Sequence, residues 1–87
     1  MKRDLESYYS PVKKLLDETA TLYKTEFFRI DENISKYIVT IVFGSKVRVL
    51  RISINDELVE YTIGLKEMSL SNVLEDISLD AKYYENL

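Results

Sequence analysis

The spacing of apolar residues changes period twice along this chain, and nothing else in the sequence constrains its fold as strongly. Near the start, Leu5, Tyr8, Val12, Leu15, Leu16, Thr19, Leu22 and Tyr23 recur at steps of three and four. That spacing puts side chains on one face of a helix. From Phe28 to Ile63 the step falls to two, the period of a strand, and from Leu70 to Tyr84 it returns to three and four. The predicted order is α-β-β-β-β-α. It forms a four-stranded antiparallel meander with two helices packed mainly on one face, an α+β fold. The 87 residues, 1–87, supply one domain and not two.

The boundaries follow from local chemistry. Pro11 removes an amide donor from the first helix. The pair Ser10-Pro11 also suits a helix start, with serine capping and proline in the first position. Two readings stay open, a kink at Pro11 or a restart at Ser10, with helix continuing to about Lys24. Phe28 and Ile30 mark a short first strand, and Asp31-Glu32-Asn33 a turn. Tyr37, Val39, Ile41 and Phe43 line one face of the second strand. Gly44-Ser45 is a two-residue hairpin turn. The third strand, Lys46 to Ile54, changes phase between Val49 and Leu50. A bulge there would keep all its apolar residues on one side; without it Val47 and Val49 are exposed. Asn55-Asp56 is read as the next turn, followed by Val59, Tyr61 and Ile63 in a fourth strand. Ser69 or Ser71 can cap the last helix, and Asn72 with Glu75 resembles a capping box. The expected core is Leu15, Leu16, Leu22, Ile41, Leu50, Ile52, Tyr61, Val73, Leu74 and Ile77.

Composition excludes much chemistry. There is no cysteine and no histidine, which removes thiol catalysis, zinc-thiolate sites and the commonest general base. Gly44 and Gly64 are isolated, so no glycine-rich phosphate loop exists. The acidic pairs Asp17-Glu18, Asp31-Glu32, Asp56-Glu57 and Glu75-Asp76 fall in turns and helices, where solvation and capping explain them. The expectation is a chain that is not an enzyme and has no cofactor and no metal site. Met1-Lys2-Arg3 is followed at once by Asp4 and Glu6, unlike a signal peptide. The run Ile41–Phe43 is too short to span a bilayer. A cytoplasmic location is expected, and no membrane partner.

Net charge is −3, which gives no overall attraction to nucleic acid. Residues 66–87 carry two basic and five acidic residues, so the excess acidity sits at the C-terminal end. Arg29, Lys46, Arg48 and Arg51 are the basic residues expected near the sheet. Were they to share its open face, they would form a phosphate-contacting patch; paired with Glu57 and Glu60 across strands, they form an ordinary solvated face. With the short first strand set aside, the order α-β-β-β-α is similar to that of double-stranded-RNA-binding domains. The likeness is one of topology only. That family places a basic cluster at the start of its last helix, and Ser69–Asp76 carries no positive charge here. Direct nucleic-acid binding is therefore not expected.

Seven tyrosines are unusual in a chain of this size. Adjacent helical residues point about 100° apart, so Tyr8-Tyr9 and Tyr83-Tyr84 cannot each bury both rings. Exposed tyrosine is a favoured interface anchor. The sequence therefore points to a non-catalytic protein-binding domain. Its sharpest form is a small acidic stoichiometric inhibitor of a larger protein, for example one that itself binds nucleic acid. In size and charge it is similar to phage anti-defence and bacterial immunity proteins. The partner-binding candidates are Tyr9, Asp76, Asp80, Tyr83 and Glu85. The alternatives are weak nucleic-acid binding through Arg48 and Arg51 on the sheet face, and a structural subunit or homodimer.

Overall fold

The computed structural model describes residues 6–56 and 58–85, and only the backbone of Glu85. Its elements are α1 (Glu6–Thr19), β1 (Leu22–Arg29), β2 (Ile34–Phe43), β3 (Lys46–Asn55), β4 (Leu58–Ile63), β5 (Lys66–Met68) and α2 (Leu70–Glu85). The five strands form one antiparallel sheet whose spatial order, β1-β2-β3-β4-β5, is the chain order. The α+β class holds, with five strands in place of four.

Helix α1 runs through Pro11 without a restart. Ser10 does not cap it; the Ser10 hydroxyl donates back to the Glu6 carbonyl (2.8 Å), a bond that side chains of this type make inside helices. The helix ends at Thr19, not near Lys24, because the sheet captures the chain there. The Thr21 amide donates to the Val42 carbonyl (2.9 Å), and the Thr21 hydroxyl accepts from the Gly44 amide (2.9 Å). Leu22, Tyr23 and Lys24 thus belong to β1, which starts earlier than Phe28 and is eight residues long.

The β2–β3 ladder runs unbroken from Phe43 opposite Lys46 to Ile34 opposite Asn55. There is no bulge, and Val47 and Val49 lie on the face away from the helices. Asn55 pairs with Leu58, and Asp56 adopts a positive φ of 51°, so the turn begins one residue later than Asn55-Asp56. Gly64 (φ 64°) turns the chain into β5, three residues with no apolar alternation to announce them.

The inner face of the sheet is the core. Tyr37, Val39, Ile41 and Phe43 of β2 meet Leu50, Ile52 and Ile54 of β3 and Tyr61 of β4. Val12 and Leu16 of α1 and Val73, Ile77 and Ala81 of α2 cover them. Full burial of an aliphatic or phenylalanine side chain is worth about 1.5–3 kcal/mol, so this layer supplies the main driving force. Three expected core residues sit elsewhere. Leu15 and Leu74 flank the core half-buried, and Leu22 is exposed on β1.

Polar contacts fasten α1 to the sheet and cap α2. The Tyr61 hydroxyl donates to the Tyr8 carbonyl (2.8 Å), and burial raises the pKa of that phenol above its ordinary value. Ser69 caps α2: its hydroxyl accepts from the Asn72 amide (3.3 Å). At the other end of α2, the β2–β3 turn packs close. A Cβ on Gly44 (φ 58°) would lie 2.9 Å from the Tyr84 carbonyl oxygen.

Candidate functional site

The two helices leave one face of the sheet uncovered. On β2, odd-numbered residues point to the core and even-numbered ones to the open face. The registers extend that parity across the sheet. One cross-strand row is Leu22, Val42 and Val47; the next is Lys24, Thr40 and Val49. A third row is Glu26, Ile38, Arg51, Thr62 and Glu67, and a fourth is Phe28, Lys36, Ser53 and Glu60. Asn55 and Leu58 close the far end beside Ile34.

This face is apolar at both ends and charged across its middle. Leu22 is 60%, Leu58 57% and Val47 55% exposed, and Phe28 is exposed beside them. The apolar exposure thus falls into two patches, Leu22 with Val47 at one end and Phe28 and Leu58 toward the other, separated by the charged row. The charged row holds one cation between two acids. Arg51 also reaches the Gly64 carbonyl (3.5 Å), which ties the middle of the face to the β4–β5 turn.

The four basic residues considered for a phosphate patch do not share this face. Arg29, Lys46 and Arg48 have the parity of the core side, and only Arg51 has the open parity. Arg48 is engaged: its Nε lies 3.0 Å from Asp80 Oδ2 of α2. That Nε is buried without a well-aligned hydrogen bond, so the pair is held by Coulomb attraction rather than by directional bonding. The Lys46 ammonium sits 5.9 Å from the centre of the Tyr84 ring, within the usual range for a cation over an aromatic face. Glu57, a proposed cross-strand partner, lies outside the described residues; Glu60 faces Ser53, not an arginine.

The partner-binding candidates are also dispersed. Tyr9 is half-buried, stacked on Tyr37 (centroids 5.0 Å apart, rings inclined 16°), with its hydroxyl bonded to Thr25. Its role is to join α1 to the sheet. Asp80 does not face solvent freely, since it pairs with Arg48, and Asp76 is half-buried. Tyr83 is 65% exposed, its ring edge-on to Tyr84. The side chain of Glu85 lies outside the described residues. The open-face residues Leu22, Phe28, Val47 and Leu58 were missed, and only Val47 carried a signal, as the exposed residue of an unbulged β3.

A depression at the Ile34–Leu58 end of the open face, lined also by Ile30, Lys36 and Glu60, measures 210 Å³. Ligand pockets usually span about 300–1,000 Å³. No group of acidic residues that could hold a metal ion occurs among the described residues. No helix among them is long and apolar enough to cross a membrane. Comparison with protein-family models, with curated proteins and with solved structures gives no match.

Proposed function

We propose that this chain is a non-catalytic protein-binding domain that docks one protein partner on the open face of its sheet. The observation that carries the reading is the set of exposed apolar side chains there, Leu22, Phe28, Val47 and Leu58, around a charged centre. Such a surface suits a partner with apolar anchors and a few charges to set register. Size and a net charge of −3 support the sharper form, a stoichiometric inhibitor in the cytoplasm that covers a working surface of a larger protein. The acidic face of α2 is a weaker docking surface than its sequence suggests, because Asp80 is committed to Arg48. Nucleic-acid binding loses its patch, because the four basic residues are divided between two faces.

The test places a photo-crosslinking residue at Val47, at Leu58, or at Leu79, which is exposed on α2. The chain is expressed in its native host and adducts are identified by mass spectrometry. One protein crosslinked from Val47 and Leu58 but not from Leu79 is the expected result. Adducts from Leu79 alone would move the surface to the helices. Crosslinks to nucleic acid from any position would replace the reading.

A further inference from the structure

Strand β1 is the long unpaired edge of the sheet. The opposite edge, β5, is three residues long. Among the described residues β2 is the one strand beside β1; α1 packs on β2 and α2 and reaches β1 through side chains alone, with Tyr9 bonded to Thr25 and Tyr23 donating to Asp17. The Ile30 amide donates to the Ile34 carbonyl (2.9 Å), and hydrogen-bonded residues alternate along an antiparallel ladder. Leu22, Lys24, Glu26 and Phe28 therefore turn their backbone groups towards β2. Tyr23, Thr25, Phe27 and Arg29 turn theirs outward, and no backbone group among the described residues meets them. An edge of this length is a ready template for another strand.

The sequence of that edge is chemically palindromic. Around Thr25, Lys24 mirrors Glu26, Tyr23 mirrors Phe27, and Leu22 mirrors Phe28. We propose that a second copy of this chain occupies the edge, pairing β1 with β1 antiparallel about a two-fold axis at Thr25. Each pair is complementary in that register. Lys24 of one copy stands opposite Glu26 of the other on the open face, beside Leu22 opposite Phe28. On the helix side Tyr23 stands opposite Phe27. Tyr23, Thr25 and Phe27 of each copy exchange backbone hydrogen bonds with Phe27, Thr25 and Tyr23 of the other, so the outward groups find partners. Exposed Leu22, Phe27 and Phe28 each gain a cross-strand apolar or aromatic neighbour.

Neighbouring registers lack this match. An axis at Glu26 sets Glu26 against itself, and an axis at Lys24 sets Lys24 against itself. An axis at Phe27 puts Lys24 opposite Ile30 and Glu26 opposite Phe28. Only the Thr25 axis pairs both charges with opposite charges, and like charges directly opposed are destabilising. Dimers of this kind are isologous, and the two sheets join into one continuous sheet with an open face on a single side.

The inference goes beyond the docking proposal, and self-association is read without any other protein. Sedimentation equilibrium of the full chain, from micromolar to millimolar, gives the dissociation constant of the dimer. Lys24 and Glu26 are exposed, so K24E and E26K leave the core intact. K24E lines the edge with acids alone, E26K with bases alone, and each weakens the homodimer by roughly 10- to 100-fold through two like-charge contacts. The double variant K24E/E26K restores opposite charges and restores dimerisation to near the wild-type constant. An equimolar mixture of the two single variants forms a heterodimer more tightly than either associates with itself. A wild-type chain that stays monomeric at millimolar concentration overturns the proposal. A dimer indifferent to both single substitutions, or one the double variant fails to restore, overturns this edge and register.

Discussion

Two glycines with the same backbone conformation should respond very differently to alanine. Gly44 has φ 58° and Gly64 φ 64°. A side chain in that left-handed region costs about 1–2 kcal/mol. At Gly64 nothing lies within 4 Å of an added Cβ, so this is the whole penalty. In a domain of this size each kcal/mol shifts Tm by about 4–8 °C, so Gly64→Ala should melt roughly 4–16 °C early. At Gly44 the new methyl would stand 2.9 Å from the Tyr84 carbonyl oxygen and 3.6 Å from its carbon. Backbone cannot rotate aside like a flexible side chain, so the β2–β3 turn must retreat from the end of α2. Overpacking of that kind adds about 1–3 kcal/mol, giving a total of about 2–5 kcal/mol. A domain of 87 residues has a total stability of about 4–13 kcal/mol, so much of the population could unfold at 37 °C. Thermal melts by circular dichroism, at one protein concentration for all variants, compare the two. If Gly44→Ala melts at or above Gly64→Ala, the close packing of the turn on α2 is wrong.

Further outcomes follow from the core and its polar locks. Ile77→Ala, at a fully buried site, should cost about 2–5 kcal/mol, whereas exposed Leu22→Ala should stay within about 0.5 kcal/mol; chemical denaturation at fixed concentration separates them. Tyr61→Phe removes the bond to the Tyr8 carbonyl and should cost about 0.5–1.5 kcal/mol. Burial raises the folded pKa of Tyr61, so its contribution is full below the unfolded value, about 10, and is lost as pH rises through the folded value; Tyr61→Phe should flatten that part of the alkaline loss in melts recorded from pH 8 to 11. Asp80→Lys sets two cations together at Arg48 and should destabilise the fold more than Asp76→Lys in the same melts.

The sequence carried the layers of this fold more clearly than its edges. Central strands alternate cleanly because one face is buried, as Tyr37 to Phe43 show. An edge strand has no such discipline. In β1, Phe27 and Phe28 are adjacent and point to opposite faces, and Thr19, Leu22 and Tyr23 happen to keep helical spacing across the boundary. Strand β5 is too short to show any period. The supposed basic patch turned on one residue of phase. Arg48 and Arg51 are three apart, so they share a face only if β3 bulges between them, and the ladder is continuous. Asp80 directly precedes buried Ala81 on α2, which brings it to the rim of the packed face and within reach of Arg48. The exposed apolar face was hidden for a different reason: valine and leucine in strands read as core until the helices are known to cover only one side.

The sheet is laid down in the order in which the chain is made. Each strand pairs with the one just before it, so its contacts are local and every loop to be closed is short, conditions that favour rapid zippering. Helix α2 comes last, and with it Val73, Ile77 and Ala81, which roof the inner face. A chain leaving the ribosome therefore carries a finished meander roofed by α1 alone, with the part of the inner face that α2 covers still bare. Through that interval it is most in need of a chaperone, and an early stop before α2 would leave an adhesive sheet rather than a weakened domain.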